Sequence, residues 1–523
     1  MASWIEQAVW WQVFPLGFVG APDEADPAAP VAHRLAHLHG WLDYAVELGA
    51  SGLALGPIFA ASTHGYDTVD HFRIDPRLGD EADFDALVAA ARARGLRVLL
   101  DGVFNHVGRA HPAFQDVLRH GPESGQAGWF RLSWPRGSGP GIEPDYACFE
   151  GHRQLVALNH DDPRVADHVA AVMGHWLARG ADGWRLDAAY AVPPRFWARV
   201  LRQVRLAHPD AYIVGEVIHG DYARLVQDTG MDAVTQYELW KAIWSALNDR
   251  NLFELAHALD RHNGYLDRFA PLTFVGNHDV TRIASRLTDE RHLPHALAIL
   301  LTCGGTPAIY AGDEQAFRGV KEERVGGDDA IRPAFPPTPA DLAPYGWPIY
   351  RLHRDLIALR RRQAGLHRAR ARTLHLANAQ LVLALGDGSA RVLTALNLAD
   401  ADATLPVPEA RAQGIGPSGT RSAPRPWVDP ARSAADRSAG AGVARRYATR
   451  PLKGAVRRIV SSHAGMPVPG RNSARRSQAL RRVRRTRSSP WTSPAMASRA
   501  SVRARRRRSG TASSSAVPKP AGT

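Results

Sequence analysis

Cysteine is nearly absent: Cys148 and Cys303 are the only two in 523 residues, and they stand far apart in sequence. That excludes a disulfide framework and a cysteine-built zinc site, and both are expected to be buried as small apolar side chains. No run of about 18 apolar residues occurs, so no membrane-spanning helix is expected. The opening MASWIEQAVWW lacks the basic start, long apolar stretch and small-residue cleavage site of a secretory leader, which points to a cytoplasmic protein. Acids are scarce in one place only. Residues 411 to 523 hold 26 Lys and Arg against two acids, Asp429 and Asp436. The remaining 39 bases and 49 acids leave residues 1 to 410 at −10, although the whole chain is formally +14. The basic character therefore belongs to a tail, and the charge of the body offers nothing to nucleic acid or to an anionic membrane.

From Arg411 onward the chain is dominated by Arg, Ser, Ala, Pro and Gly, with RRVRRTR at 481–487 and RARRRR at 503–508, and has no sustained apolar period. Such composition predicts disorder. As a functional element the tail would neutralise phosphates, but aromatics for base stacking are sparse, Trp427, Tyr447 and Trp491, which speaks against a nucleic-acid partner. A segment with no selected function, such as a shifted reading frame in a GC-rich gene, accounts better for the bias.

The body is 45% hydrophobic and 22% charged when averaged over the chain, as in ordinary globular proteins. Short β-like apolar runs alternate with longer helix-like ones, the signature of βα units. Eight strand candidates follow: residues 10–16, 51–59, 95–104, 182–189, 212–217, 232–238, 272–279 and 306–314. DEADFDALVAAARARG, residues 80–95, opens with acids, repeats apolar residues at three and four, and closes on Gly. Eight such units predict an α/β fold, a (β/α)8 barrel over residues 1–106 and 161–363. The third connection is far longer than an ordinary βα loop and predicts an inserted lobe over 107–160. A helix near 348–363 precedes two alternating runs, QLVLAL at 380–385 and ARVLTALNL at 390–398, around a Gly-Asp-Gly-Ser turn. They predict a partial β-domain over 364–410, cut short where more strands are needed to cover it.

Several strand candidates end in polar clusters: DGVFNH, GWRLDAA, GEVI and FVGNHD. In a (β/α)8 barrel the C-terminal strand ends converge on one mouth, which brings together Asp101, His106, Arg185, Asp187, Glu216, His278 and Asp279. Glycoside hydrolysis needs this inventory, one ionised carboxylate to attack the anomeric carbon and one carboxylic acid to protonate the leaving oxygen. Arg185 lies two residues before Asp187 on the same strand face and is expected to keep that carboxylate ionised. Glu216, at the end of an apolar strand, is the better candidate for a raised pKa. Each motif alone also fits a structural role, a capped strand end or an Arg–Asp pair.

Taken in order, these motifs resemble the α-amylase superfamily, glycoside hydrolase family 13, over roughly Trp10 to Pro408. The resemblance implies Asp187 as nucleophile, Glu216 as general acid/base and Asp279 as third carboxylate. It implies Asp101, His106, Arg185 and His278 as sugar-supporting residues, and HGYDTVDHFRIDPRLG at 64–79 places a stacking tyrosine on Tyr66. Many members carry Lys-His three and four residues after the nucleophile; here Tyr190 and Ala191 stand there. That departure points away from endo-acting starch amylases and toward cyclomaltodextrinases, neopullulanases and oligo-α-glucosidases. No cofactor is required by this resemblance; calcium is a candidate ion, with Asn105 as its ligand. The expected substrate is an α-glucan or maltooligosaccharide, with transfer to a sugar or isomerisation of a disaccharide as the alternative outcome and an inactive binding barrel as the third. Oligomeric state is left open. Trp129, Phe130, Trp134, Tyr146 and Phe149 in the lobe are candidates for sugar platforms or for plain lobe packing.

Overall fold

The computed structural model describes residues 3–135, 139–324, 326–363, 365–386 and 391–406, and the backbone of 446–449. The eight apolar runs form eight short strands: β1 Trp10–Val13, β2 Gly52–Leu55, β3 Arg97–Gly102, β4 Gly183–Leu186, β5 Tyr212–Gly215, β6 Ala233–Val234, β7 Leu272–Thr273 and β8 Thr306–Tyr310. Their neighbours run β6-β5-β4-β3-β2-β1-β8-β7, all parallel. A parallel bridge between Thr235 and Leu272 joins the two ends, reinforced by Gln236 N–H donating to Leu272 O at 2.9 Å. The sheet is thus a nearly closed α/β barrel. β4, β5 and β8 are buried at every residue, which is why, Arg185 of β4 apart, they do not read as alternations.

Alternation is still present beneath that uniformity. Val98 and Leu100 of β3 join the large core shared with the helices, whereas Leu99 packs with Trp10, Tyr212, Val214, Phe274 and Ala308 in a separate cluster inside the barrel. Asp101 shares the inward face with Leu99, two residues earlier. Around the barrel, the helix Glu81–Ala93 starts at a capping box. Asp80 accepts from Ala82 and Asp83 N–H, the Asp83 carboxylate accepts from Asp80 N–H, and the chain leaves through Gly95 at φ +74°.

The long third connection builds a lobe from a three-stranded antiparallel sheet, His106–Gly108, His152–Ala157 and Cys148–Phe149, with a two-stranded ribbon, Leu132–Ser133 against Asp145–Tyr146. The helix Pro112–His120 packs on it through Phe114, whose ring meets Phe130 and Tyr146 edge-on at 5.2 and 4.9 Å. Phe130 and Tyr146 therefore form the lobe's own core. Trp347–Arg362 is the last barrel helix. After it comes a three-stranded antiparallel sheet, Ala371–Ala377, Gln380–Leu385 and Val392–Asn397; its first strand was not among the sequence candidates. The proposed turn at 386–389 falls mostly outside the described residues, as does nearly all of 411–523, expected to be disordered. Arg446–Thr449 form a strand, antiparallel to Ala403–Pro406. Cys303 is buried, but Cys148 is only half-buried, and both are free thiols. Among the described residues no helix is long and apolar enough to cross a membrane.

Candidate active site

Parallel register decides which side chains meet. Arg185 on β4 stands beside Asp101 on β3, and Leu186 beside Gly102 and, across the other edge, Gly215. The next residue of each strand then opens on the mouth, with Asp187 N–H donating to Gly102 O (3.0 Å) and Glu216 N–H to Leu186 O (2.8 Å). Gly183 is what lets β4 and β5 lie so close: a Cβ there would stand 2.1 Å from Tyr212 O.

Arg185 is the hub. Its Nη1 donates to Asp101 Oδ1 and Oδ2 (2.7 and 2.9 Å) and to Asp187 Oδ1 (2.9 Å), and its Nη2 to Glu216 Oε1 (2.6 Å). Ala188, directly after Asp187, adopts a left-handed conformation (φ 43°, ψ 39°), and its N–H donates to Glu216 Oε2 at 2.9 Å. A non-glycine residue held there stores about 1–2 kcal/mol of strain. Tyr237 OH donates to Glu216 Oε1 (3.2 Å) and accepts from Asn277 Nδ2 (3.0 Å). On the opposite side, His278 Nε2 lies 3.0 Å from Asp279 Oδ2, and its Nδ1 accepts from Gln12 Nε2 at 3.1 Å. The Tyr66 ring stacks on His278 (centroids 5.5 Å apart, 5° between planes), while its hydroxyl donates to Asp101 Oδ2 at 3.1 Å and touches His278 Nε2. His106 donates from Nε2 to Tyr66 O (3.1 Å) and lies flat against Phe149 at 4.9 Å.

All the anticipated site residues therefore meet at this mouth, and all but Asp279 are buried. The side chain of Asp279 keeps 30% of its surface open. Asp101, 2% exposed, engages both oxygens with Arg185 and Tyr66 and so holds the site's own side chains. Beneath the carboxylates the barrel encloses a cavity of about 30 Å³ lined by Asp101, Arg185, Glu216, Tyr237 and His278, room for water only. A sugar must enter from the mouth.

Burial pushes the Asp187 carboxyl well above the ordinary carboxylate range; Arg185 opposes this, and Glu216, Asp101 and Asp279 add to it. Arg185 lowers it, as expected of the neighbouring guanidinium, but that one guanidinium is divided among three carboxylates. Burial likewise lifts Asp101 against Arg185. Asp279 goes the other way. Burial presses it upward, but His278, Arg332 and Arg185 outweigh that and hold it well below the usual range.

Arg332 is the residue sequence reasoning missed. Its Nη2 donates to Asp279 Oδ1 (2.9 Å) and its Nε to His278 O (2.9 Å), and its guanidinium lies 4.5 Å over the Phe14 ring. It sits in the loop after β8, where no periodicity or motif marks it; Gln12, Tyr237 and Asn277 were passed over likewise. Asn105 is buried at the root of the lobe, and its Nδ2 donates to His106 Nδ1 at 3.2 Å. Among the described residues no group of three His, Cys, Asp or Glu ligand atoms forms around it. Of the lobe aromatics, only Phe149 reaches the mouth, through His106. Trp129 packs at 5.0 Å from His168, and Trp134 is half-buried against the main core.

The sequence model described as the α-amylase catalytic domain matches residues 34–342. The chain belongs to the α-amylase family. The family member is similar to a cyclomaltodextrinase of Geobacillus thermopakistaniensis (strain MAS1), 32% identical over 431 residues, 78% of this chain and 71% of that protein. It is similar to the intracellular maltogenic amylase of Bacillus subtilis (strain 168), 32% identical over 338 residues, 61% of this chain and 57% of that one. Among solved structures, this α-amylase-family chain resembles the cyclic α-maltosyl-(1→6)-maltose hydrolase of Arthrobacter globiformis, with a TM-score of 0.66 at 28% identity, covering 77% of this chain and 93% of the other. The chain spans 57% to 71% of the length of the curated relatives it matches.

Proposed function

We propose that this protein hydrolyses α-1,4-glucosidic bonds in maltooligosaccharides and their cyclic relatives with retention of configuration. The observation that carries the reading is Arg185 bonded at once to Asp187 and Glu216, on adjacent strand ends. Two carboxyl groups bound by one guanidinium stand at the same point of the mouth, which suits a retaining pair, whose carboxyl groups lie roughly 5 Å apart.

In this reading Glu216 gives its proton to the glycosidic oxygen as the C1–O bond breaks, and Asp187 forms a new bond to C1. Water then gives a proton to Glu216 and attacks C1, which releases Asp187. Five carboxyl groups share the two guanidiniums: Asp101, Asp187 and Glu216 on Arg185, and Asp279 and Asp328 on Arg332. Burial presses the Asp187 and Asp101 carboxyls toward their neutral forms, and the substrate decides where a proton sits. A glycosidic oxygen accepting from Glu216 favours the proton there, and positive charge growing on the sugar ring favours ionised Asp187. Asp279, held ionised by His278 and Arg332, faces the same ring. The intracellular maltogenic amylase among the relatives supports a cytoplasmic location as well, which cell fractionation tests.

Maltotriose, maltohexaose and β-cyclodextrin, incubated with the full chain and followed by NMR, test the activity. Products first appearing as the α-anomer, and a loss of about 10³-fold or more in Asp187→Asn, are expected. First-formed β-anomer refutes the retaining mechanism. Products longer than the substrate show transfer to sugar in place of water.

A further inference from the structure

Away from the cleft, three histidines meet on the seam between barrel and lobe. His71 lies on the strand Thr68–Ile74, His111 is the N-cap of the lobe helix Pro112–His120, and His168 lies on the barrel helix Pro163–Ala178. One ring nitrogen from each lies within 4.8 Å of the other two. The ring centroids are 5.6 to 6.5 Å apart. Nothing in the cleft chemistry uses them.

His71 is 1% exposed, and its Nε2 donates to Val103 O at 2.9 Å, which places the lone pair on Nδ1. That Nδ1 has no hydrogen-bond partner, and neither has the buried Nε2 of His168. Buried polar atoms without partners cost free energy and call for a group that satisfies them. A backbone carbonyl fixing the far nitrogen is how metal-binding imidazoles are oriented. His111 accepts from Ala113 N–H only at 3.2 Å, a long contact that its ring can exchange for an ion. Burial pushes His71 down to about 3 and His111 to about 4, and lowers His168 too, so all three rings are neutral at pH 7 and present lone pairs. Phe104, Phe72 and Trp129 pack around the rings at 5.4, 5.7 and 5.0 Å. An all-imidazole set in apolar surroundings suits a borderline transition metal and not calcium or magnesium.

We propose that His71, His111 and His168 bind one divalent transition ion, Zn²⁺ foremost, which pins the inserted lobe to the barrel wall. Three neutral nitrogens leave a fourth, open position for water. The ion would be structural, since it lies on the lobe seam and outside the carboxylate mouth.

The test uses chelator-stripped full chain titrated with ZnCl₂ and, separately, CoCl₂, beside the double variant His111→Asn/His168→Phe. Asparagine keeps the helix cap and phenylalanine keeps the aromatic packing. Expected are one more equivalent of Zn²⁺ bound by the parent than by the variant, at least hundredfold tighter than any site left in the variant. A thermal midpoint raised several degrees by Zn²⁺ in the parent alone, and visible Co²⁺ bands of a low-coordinate imidazole site in the parent alone, are expected too. Equal stoichiometry and affinity in both proteins overturn the proposal and leave the three rings as packing. If the double variant does not fold, the Co²⁺ spectrum of the parent decides, and the absence of such bands at one equivalent overturns the site.

Discussion

Replacing Arg332 by methionine keeps the stem against Phe14 but removes the guanidinium that bonds Asp279 at 2.9 Å and His278 O at 2.9 Å. A charge-assisted hydrogen bond whose partner stays buried is worth about 1.5–3 kcal/mol. The Asp279 side chain keeps 30% of its surface open, so screening places the loss at the lower end, about 1.5–2 kcal/mol. At about 1.4 kcal/mol per decade that is a tenfold to thirtyfold drop in kcat/KM. The pH dependence carries a second signature. Burial presses the Asp279 carboxyl up, and His278 and Arg332 pull it down further than that. A depressed carboxyl is ionised over the whole neutral range and loses its charge only as pH falls through its low folded-state value. Without Arg332 that value rises, so the acid limb of the kcat/KM profile moves to higher pH and the variant is hurt more in acid than at neutrality. Arg332→Lys keeps a charge but loses the Nε contact, and should fall between. Initial rates on maltotriose across the acid range check this for all three proteins. A methionine variant within twofold of the parent, with an unmoved acid limb, refutes the role given to Arg332.

Glu314 is buried just after the C-terminal end of β8 and accepts from Tyr44 OH (2.9 Å) and Gly312 N–H (3.0 Å), and burial lifts it to about 7 from an ordinary 4.5. A raised folded-state value favours the proton, so its stability contribution is complete below about pH 4.5 and is lost as pH rises through about 7. Urea unfolding should show the parent losing up to about 3 kcal/mol over that window that Glu314→Gln does not lose; parallel losses would contradict it. Tyr237→Phe removes a donor to Glu216 and leaves the buried Asn277 amide without its partner, so kcat should fall about tenfold and stability by about 1–3 kcal/mol, read from rates and a melt. Gly183→Ala puts a methyl 2.1 Å from Tyr212 O, where only separation of β4 and β5 relieves it. A loss of 3 kcal/mol or more is expected, seen as a collapsed thermal midpoint or insoluble protein.

The strands were legible where burial on both faces writes an unbroken apolar run, as in YIVG. Their lengths were not, because strand ends are set by pairing partners: LTFVGNHD reads as eight residues, yet only Leu272–Thr273 form ladder pairs. Ala371–Ala377 escaped notice because most of its side chains are half-buried and its Arg, Thr and His blur the alternation. Arg446–Thr449 pairs from within an Arg-rich stretch whose composition argues for disorder, and backbone hydrogen bonding does not depend on composition. In the site, residues on strand ends could be assembled from topology, since the barrel dictates where strand ends go. Arg332 and Tyr237 come from loops and helix starts, and nothing short of coordinates brings them in. The environment of Asp187 was only half legible for a related reason: the sequence places an arginine beside it, but desolvation and the sharing of that arginine are properties of three dimensions.

Those two properties together explain why the cleft suits its proposed chemistry. Asp101, Asp187, Glu216 and Asp279 outnumber the guanidiniums of Arg185 and Arg332, and Arg332 is shared with Asp328 as well, at 2.7 Å. The excess sits where a sugar C1 would become positive. A cleft neutralised by a third cation would bind the ground state as well and gain nothing as charge develops, whereas this one gains attraction as the glycosidic bond stretches. Arg185 stands between Asp101, Asp187 and Glu216 and keeps their repulsion from unfolding the mouth. Arg332 does the same for Asp279 from the far side. Two cations hold five carboxyl groups in place, Asp328 included, and the negative excess is left for the substrate.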